Sequence, residues 1–354
     1  MNTTTPTAPI ANPLSQGGGA VIQPPATPFS ETAFYFDPRF KTPYTDQWNL
    51  QVEQGIGAST VLTLAYSGSH SNRLDLGGLY NTAEFPAPGD AAAVASRRQY
   101  SYITPTNYDK SGGNSNYNAL QASLKKTMSR GLTYLVSYTW SKSIDLASSG
   151  SFGAEGTLLQ NPYDPQADRS VSGFDLTNII SGATNYQLPI GRGQLLNLNS
   201  GIANALLGGW SINGVFTYTS GTPYSVTVNG DIANTGNTFV QADLVGNPNP
   251  TNRTAAQWLN PSAFAAPPAF SFGTFGRNAL RSDAFKDIDF SVFKSFPLVR
   301  ESTIQFRAEA FNLLNEVVFA APDSTLGDPT FGAVSATAPG YNSRELQFAL
   351  KVQF

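Results

Sequence analysis

The chain has 354 residues and a formal net charge of -3, which is enough length for one large domain or two average ones. Charged residues make up 13% of the chain, about half of their share in an ordinary soluble domain. The sequence has no Cys and a single His, which excludes a disulfide framework, a Cys-ligated zinc site and motifs that need two histidines. The charge balance also offers no basic surface of the kind that binds nucleic acid.

Residues 1–46 are rich in Pro, Thr, Gly and Ala, and this composition predicts a flexible or loop-like N-terminal arm. The first residues lack the charged and apolar regions of a signal peptide. No run of the sequence approaches the roughly 18 apolar residues of a membrane-spanning helix. A hydropathy plot would therefore classify the chain as soluble, but a membrane-spanning strand needs apolar residues only at alternate positions and escapes that test.

From residue 47 to the end, apolar and polar residues alternate in short segments. In the last segment the residues of one face are all apolar: Leu346, Phe348, Leu350, Val352 and Phe354. A period of two indicates a strand with one apolar face. Repeated along the chain, this pattern predicts nine strands, which lie near 47–55, 60–67, 116–127, 131–141, 176–188, 209–219, 286–297, 302–312 and 343–354.

The connections between these strands alternate in length. Short links occur at 56–59, 128–130 and 298–301, with a longer member of the same set at 189–208, and long polar loops occupy 68–115, 142–175, 220–285 and 313–342. Short turns at one rim and long loops at the other are typical of outer-membrane barrels. The sequence therefore predicts an all-β fold, an antiparallel transmembrane β-barrel. A soluble secreted β-sandwich that binds a partner is the alternative fold.

Nine is an odd number, whereas bacterial single-chain barrels have even strand counts. Either one strand is hidden at 220–235, with Pro223 to Val228 as its centre, or residues 47–354 are the C-terminal part of a larger barrel. We expect the second, because no signal peptide is recognisable. The predicted shape is a partial barrel, an open and strongly curved sheet with long loops at one rim.

Aromatic residues lie near the predicted strand ends, where the interfacial girdles of membrane proteins belong. Those of the predicted girdle are Trp48, Tyr66, Trp140 and Tyr218 near the outer rim and Tyr186 and Trp210 near the inner one. Four charged residues share the phase opposite to the apolar face and are predicted to line the lumen: Asp287, Asp289, Arg307 and Glu309. An ion pair of Arg307 with Asp287 or Asp289 across the hairpin is plausible, although a scaffolding role without substrate contact is the simpler interpretation.

The sequence gives little reason to expect catalysis or a cofactor. Two loops are rich in Asp and Asn, but their spacing is irregular and these are ordinary turn residues: Asn161, Asp164, Asp168 and Asp175, then Asp231, Asn234, Asn237 and Asp243. His70 lies in a predicted polar loop, where a solvated side chain is expected. Because neither a nucleophile motif nor an acid–base pair is recognisable, we expect no enzyme activity, no cofactor and no metal site.

The ordered segments of the chain resemble the barrel of TonB-dependent outer-membrane transporters of the Oar-like type. The resemblance lies in the series DPRFKTPYTDQWNLQVEQGIGASTVLTLAYSGS (37–69), NYNALQASLKKTMSRGLTYLVSYTWSKSID (116–145), GGWSINGVFTYTSGTPYSV (208–226) and FGRNALRSDAFKDIDFSVFKSFPL (275–298). It covers about residues 37–354. Such transporters often carry an N-terminal carboxypeptidase-regulatory-like domain and have 22-stranded barrels with a plugged lumen, so the resemblance implies that these are the last nine strands.

The resemblance also implies function, partners and location. It places the chain in the outer membrane of a Gram-negative type bacterium, in contact with the lipid bilayer. It also implies that the chain is a fragment that lacks the plug and the TonB box. Through those parts the TonB complex would drive the uptake of an unknown substrate. The last strand, from Leu346 to Phe354, resembles the signal that the barrel-assembly machinery recognises, and an exposed strand edge can be bound by β-augmentation. The alternative function is an adhesion or structural barrel whose surface loops bind partners.

Overall fold

A large antiparallel sheet dominates the computed structural model, which describes residues 35–148, 159–297 and 302–354. Nine long strands follow one another in chain order across this sheet, and each pairs with its neighbours in sequence. We call these nine strands the wall: β1 (Tyr44–Ile56), β2 (Thr60–Tyr80), β3 (Thr106–Ser129), β4 (Leu132–Asp145), β5 (Asn178–Gln187), β6 (Trp210–Thr219), β7 (Phe285–Pro297), β8 (Thr303–Phe311) and β9 (Glu345–Gln353). The predicted fold class, including the number and order of the strands, is confirmed.

The hairpin of β2 and β3 extends further than the sequence pattern indicates. The interval 68–115 was predicted as a loop, which is wrong for 68–80 and 106–115, because ladder pairing continues as far as Tyr80 opposite Thr106. Most of these added residues are polar or Gly, and the leucines Leu74, Leu76 and Leu79 are separated by polar residues from the apolar run of 60–67. The continuous alternation that identifies a half-buried strand is therefore lost. Their length carries the hairpin beyond the apolar band of the wall.

The start of the wall also differs slightly from the predicted boundary. β1 begins at Tyr44, inside the interval 1–46 that was predicted as an arm. Before it, Tyr35–Phe36 runs parallel to Tyr108 and Asp109 on β3. Residues 1–34, which hold most of the predicted arm, and the short link 298–301 lie outside the described residues.

The register gives the wall two chemically different faces. In the ladders across the wall, paired residues share the same parity, as Leu64 and Ala122 do, except at the register shifts beside Leu74 and Ser129. Since the apolar face of a membrane barrel is its outer one, we call the face of the even-numbered side chains the convex face and that of the odd-numbered ones the concave face. Two even-numbered glycines make room for aromatic rings: a Cβ at Gly68 or at Gly182 would meet the ring of its cross-strand partner, Trp48 or Phe216.

The sheet is open. β1 and β9 are its two ends, β1 pairing with β2 and β9 with β8. Within the described ranges no strand pairs with the other side of either one, so the curved sheet does not close.

The long connections fold together at one end of the wall into a unit that we call the cap: the described parts of 81–105, 146–177, 220–284 and 312–344. Two-residue strands link its parts, such as Thr227–Val228, which pairs with Val240–Gln241 and with Thr325–Leu326. The segment 220–235 therefore contains short strands of the cap and not a tenth strand of the wall. The cap has its own hydrophobic core, formed by Val226, Val228, Ala242, Leu259, Ala263 and Phe264.

Helix is sparse in this molecule. α1 (Ala91–Ser96) lies in the cap, and α2 (Gly201–Leu207) lies in the linker between β5 and β6, at the opposite end of the wall. In the described part of the chain, neither helix is long or apolar enough to cross a membrane.

Candidate functional site

Most of the convex face of the wall is an apolar surface that is exposed in the described part of the chain. The side chain of Leu350 is 72% exposed, and Leu346, Phe348 and Val352 beside it are exposed as well. The same holds on β1 and β2 at Leu50 and Leu64. A contiguous apolar surface of this extent, on alternate residues of several strands, is suited to hydrocarbon rather than to water.

The predicted girdle residues all have even numbers and lie on this convex face. Trp48, Tyr66 and Trp140 are exposed toward the end that carries the cap, and the hydroxyl of Tyr66 donates a hydrogen bond to Asn118 (2.7 Å). Tyr218 is half-buried near the same end, and Tyr186 and Trp210 are half-buried near the other end. Aromatic side chains thus occur at both ends of the apolar surface, which is the arrangement that membrane interfaces favour.

The four predicted lumen charges lie on the concave face, but the ion pair predicted for Arg307 is wrong. Arg307 is opposite Phe293 and Ala349. Its guanidinium lies over the Phe293 ring, 4.7 Å from the centroid, and its Nε donates to Gln305 (2.8 Å). Asp287 and Asp289 come six and four positions before Phe293, the residue of β7 that faces Arg307, which is too far for a cross-strand pair.

The other charges of the concave face have separate environments. Asp289 accepts a hydrogen bond from the backbone N–H of Asn312 (3.0 Å), and Asp287 is opposite Thr217 on β6. Glu309 is opposite Ser291 and Gln347. The four residues therefore share a polar surface but do not form one cluster.

The C-terminal strand presents a complete free edge. β9 pairs with β8 along its whole length, from Thr303 opposite Gln353 to Phe311 opposite Glu345. Its other edge has no partner among the described residues, and Phe354 beyond it is fully exposed. An unpaired edge with apolar residues at alternate positions is a surface to which another strand can add.

The cap is attached to the concave face of the wall by a buried arginine. Arg277, 1% exposed, forms an ion pair with Asp145 at the end of β4. Its Nε donates to the carbonyl of Asp168 (2.9 Å), and its Nη1 donates to the hydroxyl of Ser148 (2.9 Å). A buried guanidinium with several acceptors is compatible with a dry interior. A second ion pair, between the partly exposed Arg281 and the buried Asp175 (2.5 Å), lies within the cap.

Asp168 connects two loops of the cap. Its carboxylate accepts hydrogen bonds from the backbone N–H of Gln160 (2.8 Å) and from the amide of Gln241 (2.8 Å). Burial raises the pKa of Asp168 above its ordinary value, against the opposing effect of these hydrogen bonds and of Arg277. The buried carboxylate therefore holds these two loops of the cap together.

The loop residues considered as calcium ligands are used in similar ways. Asp231 accepts hydrogen bonds from the backbone N–H groups of Thr235 (2.9 Å) and Gly236 (2.5 Å), and Asp243 accepts from Thr274 (2.8 Å). No group of three or more His, Asp or Glu side chains suited to a metal ion occurs in the ranges that the structure describes. His70 lies within β2, and its Nδ1 is 2.6 Å from Oδ1 of Asn116.

A cavity of about 420 Å³ lies where the cap meets the extended hairpin of β2 and β3. Its lining includes Tyr80, Tyr108 and Tyr163 together with Arg39 and Lys110. Asp37 also lines the cavity and forms an ion pair with Arg39 (3.4 Å), so the lining carries both signs of charge beside the aromatic rings. Burial raises the pKa of Tyr163 above its ordinary value, so this phenol stays neutral.

The sequence analysis missed two charged residues with well-defined roles. Arg277 lies within the motif of residues 275–298 but was not among the candidate residues. Nothing in its sequence context indicates that its partner is Asp145, which is far away in the chain. Lys294 has an even number and so lies on the apolar face, where a charge is unexpected. Its phase, read against Ile288 and Phe290, could have identified it.

A family model described as outer membrane beta barrel domain matches residues 1–347. Among solved structures, the outer membrane transporter YddB from Escherichia coli matches with 12% sequence identity and a TM-score of 0.48, over 92% of this chain and 34% of that chain. This chain therefore spans about a third of the length of that structure. A search of curated proteins found no match.

The family match covers nearly all of the sequence and confirms the predicted localisation. Together with the nine-stranded sheet and its outward apolar face, it establishes that this chain belongs to the outer membrane β-barrel domain family and lies in the outer membrane.

Proposed function

We propose that this chain is the C-terminal part of the barrel of a TonB-dependent outer-membrane transporter of the Oar-like type. The whole protein would take up a substrate, still unidentified, through the lumen, driven by the TonB complex acting on a plug domain. The observation that carries the proposal is the open, nine-stranded wall with an apolar convex face and a polar concave face.

Open edges argue for a larger barrel. Within the hydrocarbon layer each unpaired backbone N–H or C=O costs on the order of several kcal/mol, as the transfer of a polar group from water to an apolar medium does. A sheet is therefore stable there only as a closed barrel. Further strands must therefore join β1 and β9, and a barrel of about 22 strands supplies them. The ordered sequence segments that resemble Oar-like transporters support this size.

The proposal includes partners but no catalysis. We expect the barrel-assembly machinery to bind the free edge of β9, because alternate apolar residues along an unpaired strand suit β-augmentation. The charges of the concave face are spread along β7 and β8 and are not arranged as an acid–base pair, so we expect no enzyme activity and no cofactor.

An adhesion or structural barrel is the second candidate. The observation in its favour is the cap, which has its own core around Val226 and Leu259 and is large enough to present a binding surface of its own. In that case the wall would serve as an anchor and no TonB contact would be needed.

The test uses the native protein in isolated outer membranes, detected with an antibody against residues 286–354. Samples are compared boiled and unboiled, and detergent extracts are passed over immobilised periplasmic domain of TonB. We expect a heat-shifting band far above 37.7 kDa, the mass of this chain, and retention on the TonB resin. A porin in the same extract, which should flow through, is the control.

Two results would contradict the proposal in different ways. A heat-shifting protein that is not retained by TonB supports the anchor function and overturns transport. A detergent-dependent band at 37.7 kDa means that the chain forms a barrel or an oligomer without further strands, and then the larger transporter barrel is wrong.

A further inference from the structure

The linker between β5 and β6, residues 188–209, has an unusual surface. We call it the elbow; it lies at the end of the wall opposite the cap and contains α2. Its apolar side chains point into open space: Leu195 is 87% exposed and Ile202 76%, and Leu196, Leu206 and Leu207 are exposed as well. Five exposed large aliphatic residues in one short linker form a surface that water does not favour.

The polar side of α2 packs against the neighbouring backbone of the elbow instead. The Oδ1 atom of Asn204 accepts a hydrogen bond from the backbone N–H of Arg192 (2.8 Å), and it lies beside Gly191 and Gly208. Ile202 and Leu206, four residues apart, share the opposite side. A helix on a soluble protein has the reverse orientation, with its apolar side toward the core.

The elbow is held against the convex, lipid-facing side of the wall. Nζ of Lys294 on β7 donates hydrogen bonds to the carbonyls of Leu206 (3.3 Å) and Gly208, and the indole N–H of Trp210 donates to Leu206 (3.0 Å). Lys294 and Trp210 are cross-strand partners with even numbers. The free carbonyls at the C-terminal end of α2 suit a cation.

These contacts shield the ammonium group of Lys294 from the hydrocarbon around the wall. Lys294 is on the apolar face, where an ammonium group directed into hydrocarbon is costly. The end of α2 and the rings of Trp210 and Phe296 cover it, so that Lys294 is 3% exposed. The elbow thus removes a charge from the convex face and replaces it with leucine and isoleucine side chains.

We propose that the elbow is an interfacial anchor whose five aliphatic side chains insert into the lipid leaflet at the rim of the short turns. The occupant is lipid because the elbow is bonded to the convex face at Lys294 and Trp210, beside the apolar surface that already faces the bilayer. Short turns lie at the periplasmic rim in barrels of this class, so the leaflet is the periplasmic one. The inference depends on the outer-membrane location and not on transport.

The absence of Cys from the chain allows a direct test. The single-cysteine variants Ile202→Cys and Leu207→Cys of the full protein are each labelled with a nitroxide at the new cysteine. The labelled proteins are then reconstituted in phospholipid vesicles. Collision with oxygen, which concentrates in lipid, is compared with collision with a water-soluble nickel chelate. Leu350→Cys provides the lipid-facing standard, and Asn199→Cys, exposed on the same elbow, provides the matched polar control.

We expect labels at 202 and 207 to collide mainly with oxygen, at a depth of about 5–10 Å, and the label at 199 to collide mainly with the chelate. Chelate-dominated collisions at 202 and 207 would overturn the proposal, since the elbow would then lie in water. Low collision rates with both reagents would also overturn it, because protein would cover the elbow; spin–spin broadening that disappears on dilution would identify a second copy. Heat-shifting of each variant verifies that it is folded.

Discussion

The wall and the cap are built from the same chain with opposite distributions of polarity. In the wall, Leu350 and its neighbours are exposed, whereas Asp287 and Arg307 lie on the concave side. In the cap, Val226 and Leu259 are buried in a hydrophobic core. One part is therefore folded for a lipid exterior and the other for water.

The difference shows where each region obtains its stability. The wall depends on backbone ladders and on a surrounding solvent that accepts apolar side chains. The cap depends on its own core and on buried polar pairs such as Arg277 with Asp145, which also joins it to the wall. Substitutions of the same kind should consequently have different effects in the two regions.

The largest effect is expected at the C-terminal edge, where assembly of the wall would begin. Replacing Phe354 with Ser should lower the amount of barrel in the outer membrane several-fold, because the terminal aromatic residue is part of the strand edge that the assembly machinery would bind. Phe354 is fully exposed, so lost packing cannot be the cause. Immunoblots of isolated outer membranes measure the effect.

Phe354→Tyr, which keeps the ring, is the matched control and should assemble normally. Equal amounts of the Ser variant and the native protein in the outer membrane would refute an assembly role for this residue.

The next effect is expected in the cap. Arg277→Met should lower the local stability of the cap by about 3–5 kcal/mol, because the Asp145 carboxylate remains buried without its partner. The wall should keep its heat-shift, since its ladders are unchanged. The measurement is the rate at which a protease added to intact cells cleaves the loop 220–284.

The double variant Arg277→Met with Asp145→Asn removes both charges and should recover part of the lost protection. If protease cleaves Arg277→Met no faster than the native protein, the ion pair does not stabilise the cap.

An arginine introduced on the convex face tests whether that face of the wall contacts lipid. Leu350→Arg should destabilise the folded protein by about 2–4 kcal/mol, the cost of an arginine facing the middle of the bilayer. Gln347→Arg, on the concave face of the same strand and opposite Glu309, is the control and should be nearly neutral. Urea unfolding in vesicles, followed by tryptophan fluorescence, compares them; similar losses in both variants would show that the two faces of β9 do not differ.

The smallest effect concerns two valines. Val226→Ala in the core of the cap should cost about 1.5 kcal/mol of cap stability, from the loss of two buried methyl groups. Val352→Ala on the convex face of β9 should leave the cap unchanged, because that side chain faces lipid at the far end of the wall. The rate of protease cleavage in the loop 220–284 measures both, and equal acceleration would mean that wall and cap unfold as one unit.

Alternation of apolar and polar residues was sufficient to find all nine strands of the wall, since each strand separates lipid from the lumen. The same criterion missed the extension of β2 and β3 at 68–80 and 106–115, where polar residues and glycines interrupt the alternation. It also could not describe the cap, whose short strands, such as Thr227–Val228, are too brief to show any period.

Some of the register was within reach of the sequence. The short link predicted at 298–301 implies that residue 307 faces residue 292, one position from its observed partner Phe293, so the ion pair of Arg307 with Asp287 or Asp289 could have been rejected in advance. The partners of Arg277 and Lys294 were not within reach, because they depend on how a loop and a linker fold back onto the wall.

Sequence alone was sufficient for the class of fold, the strand order, the apolar face and the membrane location, since all of these follow from local periodicity and from the lengths of the connections. Only the tertiary structure decided the core of the cap and the burial of Arg277 and Lys294. These features depend on contacts between residues that are distant in the chain, and the alternation within a single strand carries no information about them.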